Sequence, residues 1–323
     1  MDKQTIEKNI KNVLTETNFE GLGEKKVGKV RDSYFTKDRI VMVTTDRYSA
    51  FDRILATIPF KGQVLVGTAA WWFEQTKDII PNHMLEVPDP NVMVGQRVEA
   101  LPVEIVPRAF LSGVTATSIW TNYQKGQREF GGLKLGEGLK KNTRLKRPIL
   151  TPSTKFEEHD RNLTPEEIVK EGLMTEKEWD FVSEKSLELF EFGQKTALQK
   201  GLILVDTKYE FGKDEKGDII LIDEIHTPDS SRYWFADTFE ARIASGEEPQ
   251  NFDKEFLRLW FKENSDPYKD EKLPDAPVDM VVELSSRYIK IYETITGKEF
   301  VYHDESVIQR IEKNLRNGGY LVE

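Results

Sequence analysis

Four ionisable residues near the middle of the chain have the types and spacing to handle a metal-bound phosphate. Asp206, Lys208 and Glu210 follow the apolar run Leu202–Val205, and Asp223 lies in a second apolar run, Ile219–Ile225. The stretch Gly201–Trp234 reads as a β-hairpin: alternating β-branched runs flank a turn that contains Gly217. With Lys216 and Gly217 as the two central turn residues, Glu215 faces Asp218 and Glu210 faces Asp223. Period-two alternation then puts Asp206, Lys208 and Glu210 on the face that carries Asp223. Two carboxylates on adjacent strands with a nearby lysine suit a phosphate-bound magnesium. A structural ion pair between Glu210 and Lys208 is the competing reading.

Bulk properties frame that chemistry. The 323 residues suffice for two domains, or for one large domain with a helical appendix. The formal net charge of −10 argues against general affinity for nucleic acid or anionic membranes, while allowing a local basic pocket. With no cysteine, a disulfide framework, a thiolate metal site and a cysteine nucleophile are excluded. The segment MDKQTIEKNIKNVL is charged and amphipathic, without a signal-peptide core, and no long apolar run follows. A cytoplasmic soluble protein is expected.

Further clusters precede the hairpin. Lys25–Phe35 and Ile40–Thr45 read as two strands joined at residues 36–39, with Val27, Lys29 and Arg31 on one face and Gly28 uncovered between them. Such a strand can lie over a triphosphate, though an isolated glycine also marks a bulge. The polar cluster Asp46-Arg47-Tyr48-Ser49-Ala50-Phe51-Asp52 follows a strand; it reads as a binding loop or as a capped turn. Trp71, Trp72 and Phe73, in a helical pattern, are core, and His83 is structural. Val98–Phe110 is a strand pair or one interrupted strand, ending at Arg108 beside Ser112-Gly113, where exposed N–H groups and a guanidinium could hold an anion. Residues 124–146 read as a cation-rich surface excursion. Lys155 and Asp160 occupy a polar loop, and Thr164 and Thr175 are helix N-caps with acids in the first turn. Trp179, Val182, Leu187, Leu189, Phe190 and Phe192 supply the apolar face of the helical segment after Thr175. Residues 281–295 and 305–316 are helical and expected to pack as a C-terminal cap.

The order of these clusters is more specific than any one of them. Gly28-Lys29-Val30-Arg31-Asp32, Asp46-Arg47-x-Ser49-Ala50-Phe51-Asp52, Pro102–Arg108 with Ser112-Gly113, Thr151–Lys155, Leu204–Gly212 and Asp223-Glu224 with Thr227–Arg232 occur in series. The series resembles the phosphoribosylaminoimidazole-succinocarboxamide synthase (SAICAR synthetase) family. The resemblance implies an α+β fold: a small β-rich N-terminal nucleotide-binding domain (1–110), an ATP-grasp-like α+β domain (111–262) and C-terminal helices (263–323). It implies a ligase of purine biosynthesis that uses ATP and Mg²⁺ to join an imidazole ribonucleotide carboxylate to L-aspartate. A small-molecule kinase working through the same ATP–Mg²⁺ site is the alternative.

By the same resemblance, Glu210 and Asp223 hold Mg²⁺–ATP, and Gly28, Lys29 and Arg31 contact ATP. Arg108, Ser112, Gly113, Asp229 and Arg232 hold the ribonucleotide. Lys208 stands near the reacting carboxylate as a catalytic group with Glu210 and Asp223. Lys155 and Asp160 lie in a substrate-facing loop, and Ser49 and Asp52 near the substrates. One position departs: where the family pattern ends Thr- or Ala-Gly-Ser, this chain has Ser112-Gly113-Val114. Ser112, Thr115 or the Gly113 backbone is left to supply the missing phosphate contact.

Overall fold

The structure is a computed structural model that describes residues 1–51, 53–114, 117–157, 161–252 and 255–321. The chain forms two compact units: one of residues 1–73, 83–97 and 252–323, the other of residues 74–82 and 98–251. These boundaries differ from the division at 110 and 262, because the C-terminal segment belongs to the same unit as the N-terminal strands.

The first unit contains α1 (Lys3–Lys8), β1 (Glu24–Val27), β2 (Arg31–Phe35), β3 (Arg39–Thr44), β4 (Arg47–Ala50), β5 (Arg53–Thr57) and α2 (Lys61–Thr76, as far as Phe73), then β6 (Met84–Asp89) and β7 (Val92–Gln96). An antiparallel sheet of order β1-β2-β3-β7-β6 is its main layer. The expected first strand is itself a hairpin: Val27 pairs with Asp32, and Gly28-Lys29-Val30 turns between β1 and β2. Lys29 and Arg31 therefore do not share one continuous strand face.

The C-terminal helices divide between two cores rather than forming a common cap. Val281, Leu284, Tyr288 and Ile289 of the helix Val278–Thr296 pack with Ile6, Tyr48, Ile58 and Val64. Val307, Ile311 and Leu315 of the helix Val307–Asn317 pack with Tyr34, Val41, Val43, Val92 and Val94. Trp72 and Phe73 are fully buried, as expected, whereas Trp71 is only partly buried; His83 is buried with its ring against Phe73.

The second unit holds β8 (Glu99–Ala100), β9 (Val103–Glu104), β10 (Pro107–Phe110), α3 (Ile119–Gln124), β11 (Glu129–Phe130), β12 (Leu133–Lys134), β13 (Arg144–Leu150), β14 (Ser153–Thr154), α4 (Pro165–Lys170), α5 (Glu176–Gln199), β15 (Leu202–Asp206), β16 (Glu210–Lys213), β17 (Ile219–Ile222), β18 (Arg232–Phe235) and α6 (Ala236–Ser245). Its larger sheets run β13-β10-β15-β18 and β17-β16-β8, and β11-β12 and β14-β9 form two-stranded pairs. Thr164 and Thr175 are the N-caps of α4 and α5, as expected, and both form capping boxes, with Glu167 and Glu178. Val182, Leu189 and Phe190 of α5 are buried, but Leu187 is exposed. Residues 124–146 contain the β11–β12 hairpin, and Phe130, Leu135 and Leu145 anchor the segment to a core with Leu111 and Tyr123.

The expected hairpin 201–234 is split between these two sheets. β15 pairs with β10 and β18, and the hairpin proper is β16–β17. Its loop has three residues, not two. The Asp214 carboxylate accepts from Lys216 N and Asp218 N, both at 2.9 Å, and Gly217 takes φ +85°. Glu210 therefore pairs with Ile222, one residue from the expected register. Among the described residues no helix is long and apolar enough to cross a membrane.

Candidate active site

Despite the shifted register, Glu210 and Asp223 reach one ammonium group in the second unit. Asp223 follows β17 at φ +67°, so strand alternation no longer sets its direction. Lys208 Nζ donates to Glu210 Oε1 and, at 3.1 Å, to Asp223 Oδ2. Lys155 Nζ donates to the second oxygen, Glu210 Oε2. Glu104 completes the cluster at 3.5 Å from Lys208 and 4.0 Å from Lys155. Burial alone would discharge Lys208, but Glu210, Asp223, Glu104 and Glu224 raise its pKa well above the ordinary lysine value. Burial pushes Glu104 up to about 7; Lys208 opposes that rise and Glu210 reinforces it. Glu104 was not singled out by sequence: it sits in an apolar run, and only the β9–β14 pairing brings it near Lys155.

A second cluster lies at the end of β15. Asp206 Oδ2 accepts from Arg108 at 2.9 Å and from Arg232 at 2.6 Å, while Oδ1 accepts from Arg232 Nε at 3.0 Å. Arg108 Nε also donates to Thr151 Oγ1 at 2.8 Å. One carboxylate thus fixes two guanidinium groups and leaves the trio with a positive charge. Burial lowers the pKa of Arg108, Asp206 opposes this and Arg232 adds to it. Asp206 belongs to this arginine pair and not to a face shared with Glu210. A Cβ on Gly113, which has φ +99°, would lie 2.5 Å from Ser118 Cβ and 3.0 Å from an Arg232 nitrogen, so glycine is needed for their close approach. Asp229 lies in the turn after Thr227, its N–H directed to Thr227 Oγ1 at 3.3 Å.

In the first unit, Gly28 and Lys29 are exposed at the β1–β2 turn, and Arg31 opens β2. Ser49 is on β4, paired with Ile54. Asp52, Thr115 and Asp160 lie outside the described residues.

A profile of the SAICAR synthetase family matches residues 24–274. This chain belongs to the SAICAR synthetase family. It is 54% identical over 306 residues to the phosphoribosylaminoimidazole-succinocarboxamide synthase of Legionella pneumophila strain Lens, covering 94% of this chain and 98% of the relative. A chloroplastic synthase of Arabidopsis thaliana is 53% identical over 96% of this chain and 77% of its own length. The SAICAR synthase of Saccharomyces cerevisiae, solved in complex with SAICAR, superposes with a TM-score of 0.76 at 31% identity, covering 90% of this chain and all of that one. A SAICAR synthetase solved in complex with ADP gives 0.66 at 26% identity, over 86% of this chain and all of that one. The mixed sheets and helices are the α+β fold of SAICAR synthases.

As a SAICAR synthetase, the chain departs from the family pattern at Val114, which is 52% exposed and offers no hydroxyl. The neighbouring Ser112 is 1% exposed, and its Oγ has no hydrogen-bond partner among the described residues. The carboxylates suit a hard cation in kind: Glu104, Glu210 and Asp223 outnumber Lys155 and Lys208. Among the described residues no three acidic or histidine side chains form a preformed metal cage. Magnesium commonly needs only one or two protein carboxylates, its other ligands being water and phosphate oxygens.

Proposed function

We propose that this protein joins the carboxylate of 5-amino-1-(5-phosphoribosyl)imidazole-4-carboxylate to the amine of L-aspartate, converting ATP to ADP and phosphate and forming SAICAR. The observation that carries this reading is the segment Asp206–Glu210. Within five residues it holds the anchor of an arginine pair suited to a phosphate and a lysine–carboxylate cluster suited to Mg²⁺ and a phosphoryl group.

In the first step a carboxylate oxygen attacks the γ-phosphorus of ATP and ADP leaves, giving an acyl phosphate. The aspartate amine then attacks the acyl carbon, phosphate leaves, and the nitrogen loses its surplus proton. Catalysis here is mainly positioning and neutralisation of charge. Arg108 and Arg232 bind the ribonucleotide phosphate, since guanidinium groups can engage two oxygens each. Ser112, Gly113 and Asp229 border that ligand in this reading. Lys208, whose ammonium lies between Glu210 and Asp223, neutralises charge on the transferring group. Lys155 shares this role through its contact with Glu210. Glu210 and Asp223 would hold Mg²⁺, which when bound neutralises phosphate charge. Gly28, Lys29 and Arg31 serve ATP; Ser49, Asp52 and Asp160 are assigned near the substrates by motif position.

The test is ADP release by the purified protein with ATP, Mg²⁺, the carboxylated ribonucleotide and L-aspartate. Release that requires both co-substrates, with SAICAR formed in equal amount, is expected. ADP release with an inositol or sugar acceptor and no aspartate would instead establish a small-molecule kinase, a reading that the family relationship does not favour.

A further inference from the structure

The β1–β2 turn is exposed, yet its backbone is tied to the interior. Arg47 is 4% exposed, and its guanidinium donates to Gly28 O at 2.9 Å and to Lys29 O at 3.2 Å. The next carbonyl, Val30 O, accepts from Thr45 Oγ1 at 2.8 Å and from Thr45 N at 2.9 Å. All three carbonyls of Gly28-Lys29-Val30 are therefore held on the protein side. The turn is closed by Gly28 N donating to Arg31 O at 2.7 Å.

Arg47 is itself fixed from two more directions. It donates to Asp32 Oδ1 at 2.8 Å and to Thr15 O at 2.7 Å. Asp32 is fully buried and also accepts from Thr17 N at 2.8 Å and Thr17 Oγ1 at 3.0 Å. Burial opposes its charge, but Arg47 and Thr17 hold the Asp32 pKa below the ordinary carboxylate value. A planar guanidinium can satisfy this divergent set of acceptors at once; an ammonium on a flexible stem cannot.

We propose that Arg47 is a positioning residue for ATP, clamping the Gly28-Lys29-Val30 turn from beneath so that its carbonyl oxygens face away from the triphosphate. A carbonyl oxygen is the negative end of the peptide dipole, and one directed outward would repel the phosphates. Holding three of them inward sets the turn before ATP arrives and removes that ordering cost from binding. The inference rests on the assignment of Lys29 and Arg31 to ATP, and its test includes a separate check of that assignment.

Steady-state kinetics with each substrate varied in turn provides the test. Arg47→Lys keeps a cation beside Asp32 but loses the carbonyl bonds. It should raise KM for ATP by about tenfold, as expected for losing one or two hydrogen bonds from a charged donor, with KM for the ribonucleotide and for aspartate changed less than about twofold. Thr45→Val leaves Arg47–Asp32 intact and should raise KM for ATP by about threefold, which keeps the proposal testable if Arg47→Lys does not fold. Lys29→Ala tests the underlying assignment. If Lys29→Ala raises KM for ATP while neither clamp variant does, Arg47 is purely structural and the proposal is overturned. If Lys29→Ala leaves KM for ATP unchanged, the turn is not an ATP contact and both readings fall. Equal rises in all three KM values in the clamp variants would also overturn it.

Discussion

At the scale of single residues, the site is organised by shared partners. Asp206 anchors two arginines, and Lys208 bridges two carboxylates. Replacing Asp206 by Asn removes the charge and one acceptor, freeing guanidinium groups that one carboxylate now aligns. Charge-assisted bonds contribute about 1.5–3 kcal/mol each, so Asp206→Asn should raise KM for the ribonucleotide by at least about tenfold. KM for ATP should change little; a rise confined to ATP would place the arginine pair at the wrong substrate. Arg232→Ala should show the same selectivity. Asp223→Asn should lower kcat strongly with the protein still folded, and near-normal kcat at saturating Mg²⁺ would remove the metal role. Residue types and motif order singled out Lys208, Glu210, Asp223, Arg108 and Arg232, and the structure gathers them into two clusters. They gave no role to Glu104, because only the pairing of two-residue strands places its carboxyl beside Lys155. Nor could they assign Asp206 to its guanidinium partners, which come from strands on either side of β15.

At the scale of elements, local chemistry was legible where the chain itself carries the interaction. Both Thr N-caps and the helices they start follow from the local sequence at Thr164 and Thr175. The β16–β17 register did not follow, because Asp214 captures two backbone N–H groups and lengthens the loop by one residue. The sheet to which β15 belongs depends on β10 and β18, distant partners that periodicity does not specify. Helix α5 also contains a packing constraint hidden from propensity. A Cβ on Gly193 would lie 2.3 Å from His226 Cε1 and 2.9 Å from Leu204 Cδ2. Alanine favours helix by about 1 kcal/mol over glycine, but forced overpacking commonly costs about 1–3 kcal/mol. Gly193→Ala should therefore lower the unfolding midpoint; an unchanged or higher midpoint would show that His226 can move aside.

At the scale of the molecule, two buried titrating groups give stability opposing pH dependences. Burial lowers the pKa of His226 from 6.5 to about 3, so the unfolded chain takes up a proton that the folded chain refuses. Stability from this source is present above about pH 6.5 and is lost as pH falls toward 3, by about 1.4 kcal/mol per unit. Burial raises Asp46 from 3.8 to about 6, although Gly62 N and Leu14 N donate to it. Here the folded chain retains the proton, and stability is lost as pH rises from about 4 to about 6. The slopes largely cancel between pH 4 and 6. His226→Gln should unmask the Asp46 slope: its deficit relative to wild type should narrow by about 2 kcal/mol between pH 6.5 and 5. Denaturant unfolding at those two pH values measures this, and a constant deficit would count against a neutral buried imidazole.

The two-unit division also has a consequence for how the chain is made. The first unit needs residues 252–323, which leave the ribosome only after the whole of 98–251. At roughly 5–20 residues per second, Val41, Val43, Val92 and Val94 await Val307, Ile311 and Leu315 for roughly 10–40 s. During that interval the nascent chain presents an unfinished apolar sheet, a target for chaperones and for misassociation with neighbouring nascent chains. Slow codons within 98–251 would prolong this exposure.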